Sequence, residues 1–394
     1  MPPPSTRKGA QFVPSMHSRL TLRDFALLIA LAAVCGFFAI QSPNFLSARN
    51  LSLLMIDFSI TATLAIGMLL VILPGHIDLS AGSGVGLIGG IAAVLVTGHA
   101  WPAPLALLAG LAVALGLWWA MGSLIVRQRI PAFIITLGGL LLFKGLFLRV
   151  INNHTVPVVP GGQVNLYSAL TTFYLPHWAG YAVAALVLGA LAVGRWKGRA
   201  QRVAHALPVA EGEITFLQFF LTAQVIILFV IITNQFRGVP LPALILGAVA
   251  LLVWVLTQHT PWGRYLYAIG GNEEAAVISG IPVARVTVGA FTLMGAIVAL
   301  TGFLQTAYGG ASTTTVGDLM ELDAVAACVI GGVSLRGGRG TVLGVLFGAL
   351  IMACLINGMT LLSVEPEHKL MARGLVLILA VWMDVRLGRT AVAG

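Results

Sequence analysis

Runs of about 20 apolar residues, separated by short basic clusters, recur from Phe25 to Met383 and constrain the fold more than any other feature of this chain. A helix of that length crosses the roughly 30 Å hydrocarbon core of a bilayer. In lipid each backbone N–H and C=O must be satisfied within the chain, so such runs fold as helices. The sequence therefore implies an all-α transmembrane helix bundle of about 11 or 12 segments. Composition agrees, since 58% of the 394 residues are hydrophobic and 9% are charged, a balance foreign to soluble domains.

Spans are expected at 24–41, 51–73, 83–97, 104–126, 131–150, 179–194, 214–232, 243–257, 286–307, 323–333, 341–362 and 370–383. Residues 1–23, rich in Pro and basic residues and without periodicity, read as a disordered basic tail. Residues 24–384 form one transmembrane domain containing a polar loop at 258–285, and 385–394 a C-terminal tail. The run Phe25–Ile40 is not read as a cleaved signal, because Asp24 opens it, no small-x-small site follows and many spans come after.

A net charge of +9 could suggest nucleic acid, but the placement of the cations excludes that partner. Arg7, Lys8, Arg19 and Arg23 precede the first span, Arg127 and Arg129 follow the fourth, and Arg195, Lys197, Arg199 and Arg202 follow the sixth. Arg264 with Arg285, Arg336 with Arg339, and Arg386 with Arg389 continue the series. With the N-terminus inside, all of them lie on the cytoplasmic face of an inner membrane, and both termini end there. Cys35, Cys328 and Cys354 fall in apolar stretches at spacings that suggest neither a disulfide framework nor a metal site, so they read as packing residues.

Two stretches interrupt the hydropathy pattern in the same manner. Residues 74–90 and 321–348 each run from polar residues through a glycine-rich break into a glycine-rich helix, the trace of an internal repeat with broken helices near the midplane. The same glycines also suit close helix approach. Between Ile151 and Trp178 a long external segment carries Tyr167, Phe173, Tyr174 and Trp178, residue types that favour the membrane interface.

The loop Gly263–Val286 is the most informative stretch. Asn272 is placed to cap a helix, Glu273 and Glu274 then occupy its first turn, and Gly280 and Pro282 stop it. A helix that short has too little apolar surface to be stable alone in water, so contact with another surface must order it.

This segment resembles the cytoplasmic EAA-type loop of ATP-binding-cassette importer permeases, with Glu274, Ala275, Ala276 and Gly280 in matching places. SARNLS at 47–52, IDLSAGS at 77–83, PAFIITLGG at 131–139, ELDAVAACVIGG at 321–332 and AVWMD at 380–384 resemble the branched-chain and sugar permease family, most closely its xylose-type members. The resemblance covers nearly the whole chain beyond the basic tail. It implies a permease that imports a pentose, with ribose or several sugars as the alternative substrate. The expected partners are an ABC ATPase subunit, a periplasmic sugar-binding protein, a second permease copy and membrane lipid. Gly271, Asn272, Glu273, Glu274, Ala275, Ala276 and Gly280 would then form the coupling segment that meets the ATPase. ATP and Mg would sit on that partner and no cofactor on this chain, whose nearest approach to a phosphate loop, GGLLLFKG at 138–145, lacks the second glycine before the lysine and the hydroxyl after it.

A sugar path lined by hydroxyl, amide and acidic groups would use Asp78, Ser80, Ser83, Asp323 and Asn357. Asp78 is equally readable as a helix cap, as are His76, Glu321 and Asp323. Asp57 either serves a function inside the membrane or reaches the outer headgroups, while Lys144 and Arg149 snorkel. Two rival functions remain. A proton-driven transporter would titrate Asp57 or Asp78, and a hydrolase would use Ser80 or Ser83 with His76, although a nucleophile needs its base on a separate rigid element.

Overall fold

The computed structural model describes residues 22–390 apart from 206, 208, 210 and 211, with side chains between 27 and 382. Of the tail expected at 1–23, residues 1–21 lie outside the described residues and Leu22 and Arg23 belong to the first helix; the side chains of Arg23, Asp24, Arg386 and Arg389 also lie outside them. Fifteen α-helices carry nearly all of the secondary structure among the described residues. In order they are α1 (Leu22–Gln41), α2 (Ala48–Ile72), α3 (Ala81–Thr97), α4 (Ala103–Gln128), α5 (Ala132–Val150), α6 (Leu166–Thr172), α7 (His177–Ala204), α8 (Gly212–Asn234) and α9 (Leu241–His259). There follow α10 (Pro261–Gly271), α11 (Glu273–Ile278), α12 (Val283–Tyr308), α13 (Met320–Ile330), α14 (Val342–Leu361) and α15 (Pro366–Thr390). Eight are long and apolar enough to cross a membrane, and the shorter apolar stretches 27–41 and 81–97 add to them. The chain is a multi-pass membrane protein.

Each expected span falls on a helix, most of them to within a few residues, and the larger differences are at the ends of two helices. α7 runs to Ala204 rather than 194 because Arg195, Lys197, Arg199 and Arg202 are good helix formers that carry the helix on past its apolar part. α15 continues to Thr390, through residues expected to begin a tail at 385. α6 and α10 were not anticipated, being short helices inside stretches read as polar loops.

α2 and α12 are the most buried spans, surrounded by α3, α4, α9, α13 and α14. Backbone approach between α3 and α12 rests on glycine: a Cβ on Gly89 would lie 2.7 Å from the carbonyl oxygen of Gly302. Lipid gives helices no hydrophobic reason to associate, so such close van der Waals contact is what holds them. Several hydroxyls inside the spans bond back to their own helix, as where Thr63 Oγ1 donates to the Ser59 carbonyl at 2.7 Å and Thr301 Oγ1 to Ile297 at 2.8 Å. α7 and α8 pair around Ala184 and Val230 and otherwise turn apolar faces outward.

At one end of the bundle, the strands β1 (Val156–Pro157) and β2 (Ala311–Ser312) pair antiparallel. α6 follows an Asn165–Ser168 capping box and is held down by Tyr167, which is fully buried and donates its hydroxyl to the Gly89 carbonyl at 2.9 Å. Tyr167 is therefore a core residue rather than an interface anchor, whereas Trp178 is 74% exposed and Phe173 half exposed.

The two interruptions differ in depth. α2 is 25 residues long, about 37 Å at 1.5 Å per residue, so the first break begins at the far end of a complete span and climbs back into the bundle. α13 has 11 residues, about 16 Å, and stops part-way at Gly331. Around the far end of α2 the arginines of the loops gather: Arg127 and Arg129 close α4, Arg285 opens α12, and Arg336 sits beside Gly75. This is the basic end.

Candidate functional site

The segment after α9 builds a projecting element residue by residue. Thr260 caps α10, accepting the Gly263 N–H at 3.2 Å with Pro261 in the first turn, and Gly263, Leu266 and Ile269 bury one face of that helix. Tyr267 of α10 donates its hydroxyl to the Gly340 carbonyl at 2.8 Å, tying the helix to the break between α13 and α14. Asn272 then interrupts the helix and caps the next one, its side chain accepting the Ala275 N–H at 2.9 Å. α11 ends in a Schellman motif, in which Ile281 N–H donates to Ala276 O and Gly280 N–H to Val277 O, both at 3.0 Å. Gly280 holds φ +79° there, which L side chains rarely adopt.

The sequence reading placed Asn272, Glu273, Glu274 and Gly280 in these roles within a short helix, and they occupy them. Of Gly271, Asn272, Glu273, Glu274, Ala275, Ala276 and Gly280, only Ala276 is buried. Val277 is 57% and Ile278 88% exposed, so α11 offers apolar side chains flanked by two carboxylates.

Immediately before α11, backbone meets backbone. A Cβ on Gly270 would lie 1.9 Å from the Leu73 carbonyl oxygen and 2.3 Å from the Gly338 nitrogen, so nothing larger than glycine fits. Gly338 N–H donates to that same Leu73 carbonyl at 2.9 Å. The end of α2, the end of α10 and the break after α13 thus form one junction. Beside it lies a cleft of about 690 Å³ whose walls include His76, Arg129, Phe133, Glu273 and Thr287. Burial holds the His76 imidazole below its ordinary value, and the nearby Glu273 carboxylate offsets part of that shift. His76 caps no helix; its ring centroid lies 6.1 Å from that of Phe291.

The residues assigned to a sugar path are spread over α3 and the turn before it, α13 and α14. Asp78 is fully buried: Oδ1 accepts the Ser80 N–H at 2.9 Å and its hydroxyl at 2.6 Å, and Oδ2 accepts the Trp118 indole N–H at 2.6 Å. Ser80, rather than Asp78, stands at the N-cap position of α3, where its side chain makes no cap bond. Ser83 is buried on α3. Asp323 and Glu321 lie in the first turn of α13 without capping it, and Asp323 pairs with Arg373 of α15 at 3.3 Å. Asn357 exchanges amide hydrogen bonds with Asn50 of α2.

Other polar residues also find internal partners. Asp57 accepts the Tyr308 hydroxyl at 3.4 Å, and Lys144 pairs with Asp318 while donating to the Thr314 carbonyl at 2.8 Å. Lys144 therefore tethers the 313–319 loop instead of reaching for headgroups. The run 138–145 lies inside the continuous helix α5. Sequence reasoning missed Trp118, Tyr308, Arg373 and Gly270. The one signal for them was an indole in the middle of a span, where its N–H needs an acceptor.

The family model for the branched-chain amino acid transport system / permease component matches residues 50–381. The chain is 39% identical over 366 residues to the xylose transport system permease protein XylH of Escherichia coli K12, covering 93% of this chain and 92% of that one. The Haemophilus influenzae XylH is 38% identical over 369 residues, with 93% and 96% covered. The ribose import permease protein RbsC of Escherichia coli K12 is 33% identical over 357 residues, with 91% and 92% covered. No solved structure matches the chain.

Proposed function

The chain belongs to the branched-chain amino acid transport system / permease component family, and from that premise we propose that it is the membrane subunit of an ATP-driven, binding-protein-dependent importer that carries a pentose, D-xylose first, into the cytoplasm. The observation that carries this reading is α11, a capped six-residue helix with Ile278 exposed, backed by a junction that joins α2 to the break after α13. Its exposed apolar side chains suit insertion into a partner. A rigid backbone junction suits passing a displacement of that partner into both halves of the bundle.

ATP and Mg are held by an ATPase subunit in this scheme, a sugar-binding protein delivers substrate from the opposite side, and a second copy completes the permease. The basic end is cytoplasmic, consistent with the positive-inside bias. Only a ligand that binds two states unequally shifts the balance between them, and ATP on the partner supplies that difference while the spans rock around the sugar. Asp78 and Ser80 hold the returning backbone of the break in shape, since their polar atoms are engaged with each other and Trp118. Xylose is favoured over ribose by the higher identity to the xylose permeases.

Reconstitution in liposomes with the cognate ATPase and binding protein tests the proposal. Changing Glu274→Ala and Gly280→Val together is expected to abolish xylose uptake while the ATPase still turns over. Normal uptake by that variant would discard the coupling role of α11. Accumulation driven by an ion gradient without nucleotide would discard the importer class, and ribose uptake in preference to xylose would reassign the substrate.

A further inference from the structure

We propose that the groove between α4 and α12 at the basic end is a binding site for one anionic phospholipid. The groove encloses about 620 Å³ and is lined by Arg127, Arg285, Trp119, Trp262 and Leu293 among others, with no acidic residue. Neither guanidinium has a carboxylate within 4.0 Å among the described residues. Both guanidiniums are exposed, so the groove presents two cations without an internal counter-charge to an anion from outside the chain.

The backbone adds to that demand. Arg285 sits in the first turn of α12, a 26-residue helix with no side-chain cap, so free N–H groups and the positive end of the helix dipole open toward the arginines. Such a terminus binds phosphate. A soluble anion would need no more than this mouth. The groove, however, extends along both helices, from Arg127 back to Trp119 and from Arg285 on to Leu293, eight residues or about 12 Å in each case. That depth fits a glycerol backbone and the first acyl carbons. Trp262 lies against Gly289 on one wall, near the mouth where headgroups meet hydrocarbon, and Trp119, 53% exposed, lies about 12 Å deeper along α4, where acyl carbons would pass it. Basic pockets between spans on this side of a membrane suit anionic headgroups.

Native mass spectrometry of the purified full chain, titrated with phosphatidylglycerol, phosphatidylethanolamine or phosphatidylcholine, tests the site. Wild type is expected to retain one phosphatidylglycerol in preference to the zwitterionic lipids. Arg127→Gln with Arg285→Gln should weaken that retention about thirtyfold, and Lys197→Gln with Arg202→Gln, an equal loss of charge on α7, should leave it unchanged. Equal weakening by both pairs would overturn the proposal, as would displacement of the lipid by millimolar inorganic phosphate, which would mark a site for the free anion. A change in oligomer mass in place of lipid count would assign the groove to a second copy and also overturn it. Two further measurements hold even if the glutamine pair misfolds. Arg127→Lys with Arg285→Lys is expected to keep the lipid, and phosphatidylglycerol brominated on its acyl chains should quench wild-type tryptophan more than brominated phosphatidylcholine does. Equal quenching would sink the idea.

Discussion

Asn50 and Asn357, 307 positions apart, exchange two amide hydrogen bonds, Nδ2 of each donating to Oδ1 of the other at 2.9 and 3.1 Å. Asn50 also donates to the Phe45 carbonyl at 2.9 Å, so the pair fixes the outer ends of α2 and α14 together with the α1–α2 turn. Polar contacts between spans contribute on average about 0.6 kcal/mol and at most about 1.7. Asn357→Ala is therefore expected to lower unfolding stability in micelles by an amount in that range. The double variant with Asn50→Ala should cost less than the sum of the single changes, and strict additivity would mean the two amides do not act as a pair.

Asp78 gathers three donors, two from Ser80 and one from Trp118. Removing the carboxylate strands all of them in a buried site, whereas removing the indole N–H strands only one acceptor. Asp78→Ala should greatly reduce the yield of folded protein. Trp118→Phe should cost about 1–3 kcal/mol and still fold. If Asp78→Ala folded as well as wild type and only transport were lost, the carboxylate would belong to the sugar path and not to the break.

Gly270 admits no side chain, because two backbones occupy the space where a Cβ would stand. Gly270→Ala must move α10 away from Leu73 or Gly338. The expected result is intact insertion and ATPase binding with uptake per ATP reduced several-fold, measured in proteoliposomes. A variant with unchanged coupling would separate the junction from transmission.

His76, at the mouth of the cleft, is held below its ordinary 6.5 by burial. The folded state thus favours the neutral ring, while the unfolded chain takes up a proton near its usual value. The stabilisation is complete above about pH 6.5 and is lost as pH falls from there toward the lowered folded value. Thermal stability of wild type should decline over that window, and His76→Gln should flatten the decline. Identical profiles would show that the ring stays solvated.

Cys35 of α1 and Cys354 of α14 bring their sulfurs to 3.7 Å, a proximity no spacing in the chain announces. Mild oxidation with copper phenanthroline is expected to crosslink them, giving a faster-running band in gels that disappears with Cys35→Ser. Cys328 donates to the Ala65 carbonyl at 3.2 Å deep in the core and should stay unreacted.

The spans, the class of fold and the short capped helix α11 were legible because each follows from neighbours in sequence. A 20-residue apolar run states its own structure in lipid, and Asn272 and Gly280 mark the ends of α11 through bonds to residues three to five positions away at most. The partners of the buried polar residues were not legible. Asp78, Asp323, Asn357 and Cys35 looked alike in one dimension, as isolated polar or reactive groups in apolar surroundings. Which of them would line a path and which would be satisfied internally depended on what the other helices placed opposite. Trp118 lies 40 residues from Asp78, Arg373 lies 50 from Asp323, and the three-way glycine junction joins backbone from three remote parts of the chain. Sequence determines which segments must be helical, because hydrogen bonding within a helix is local; only the packed bundle decides how buried polar groups are satisfied, because those bonds close between elements the chain keeps far apart.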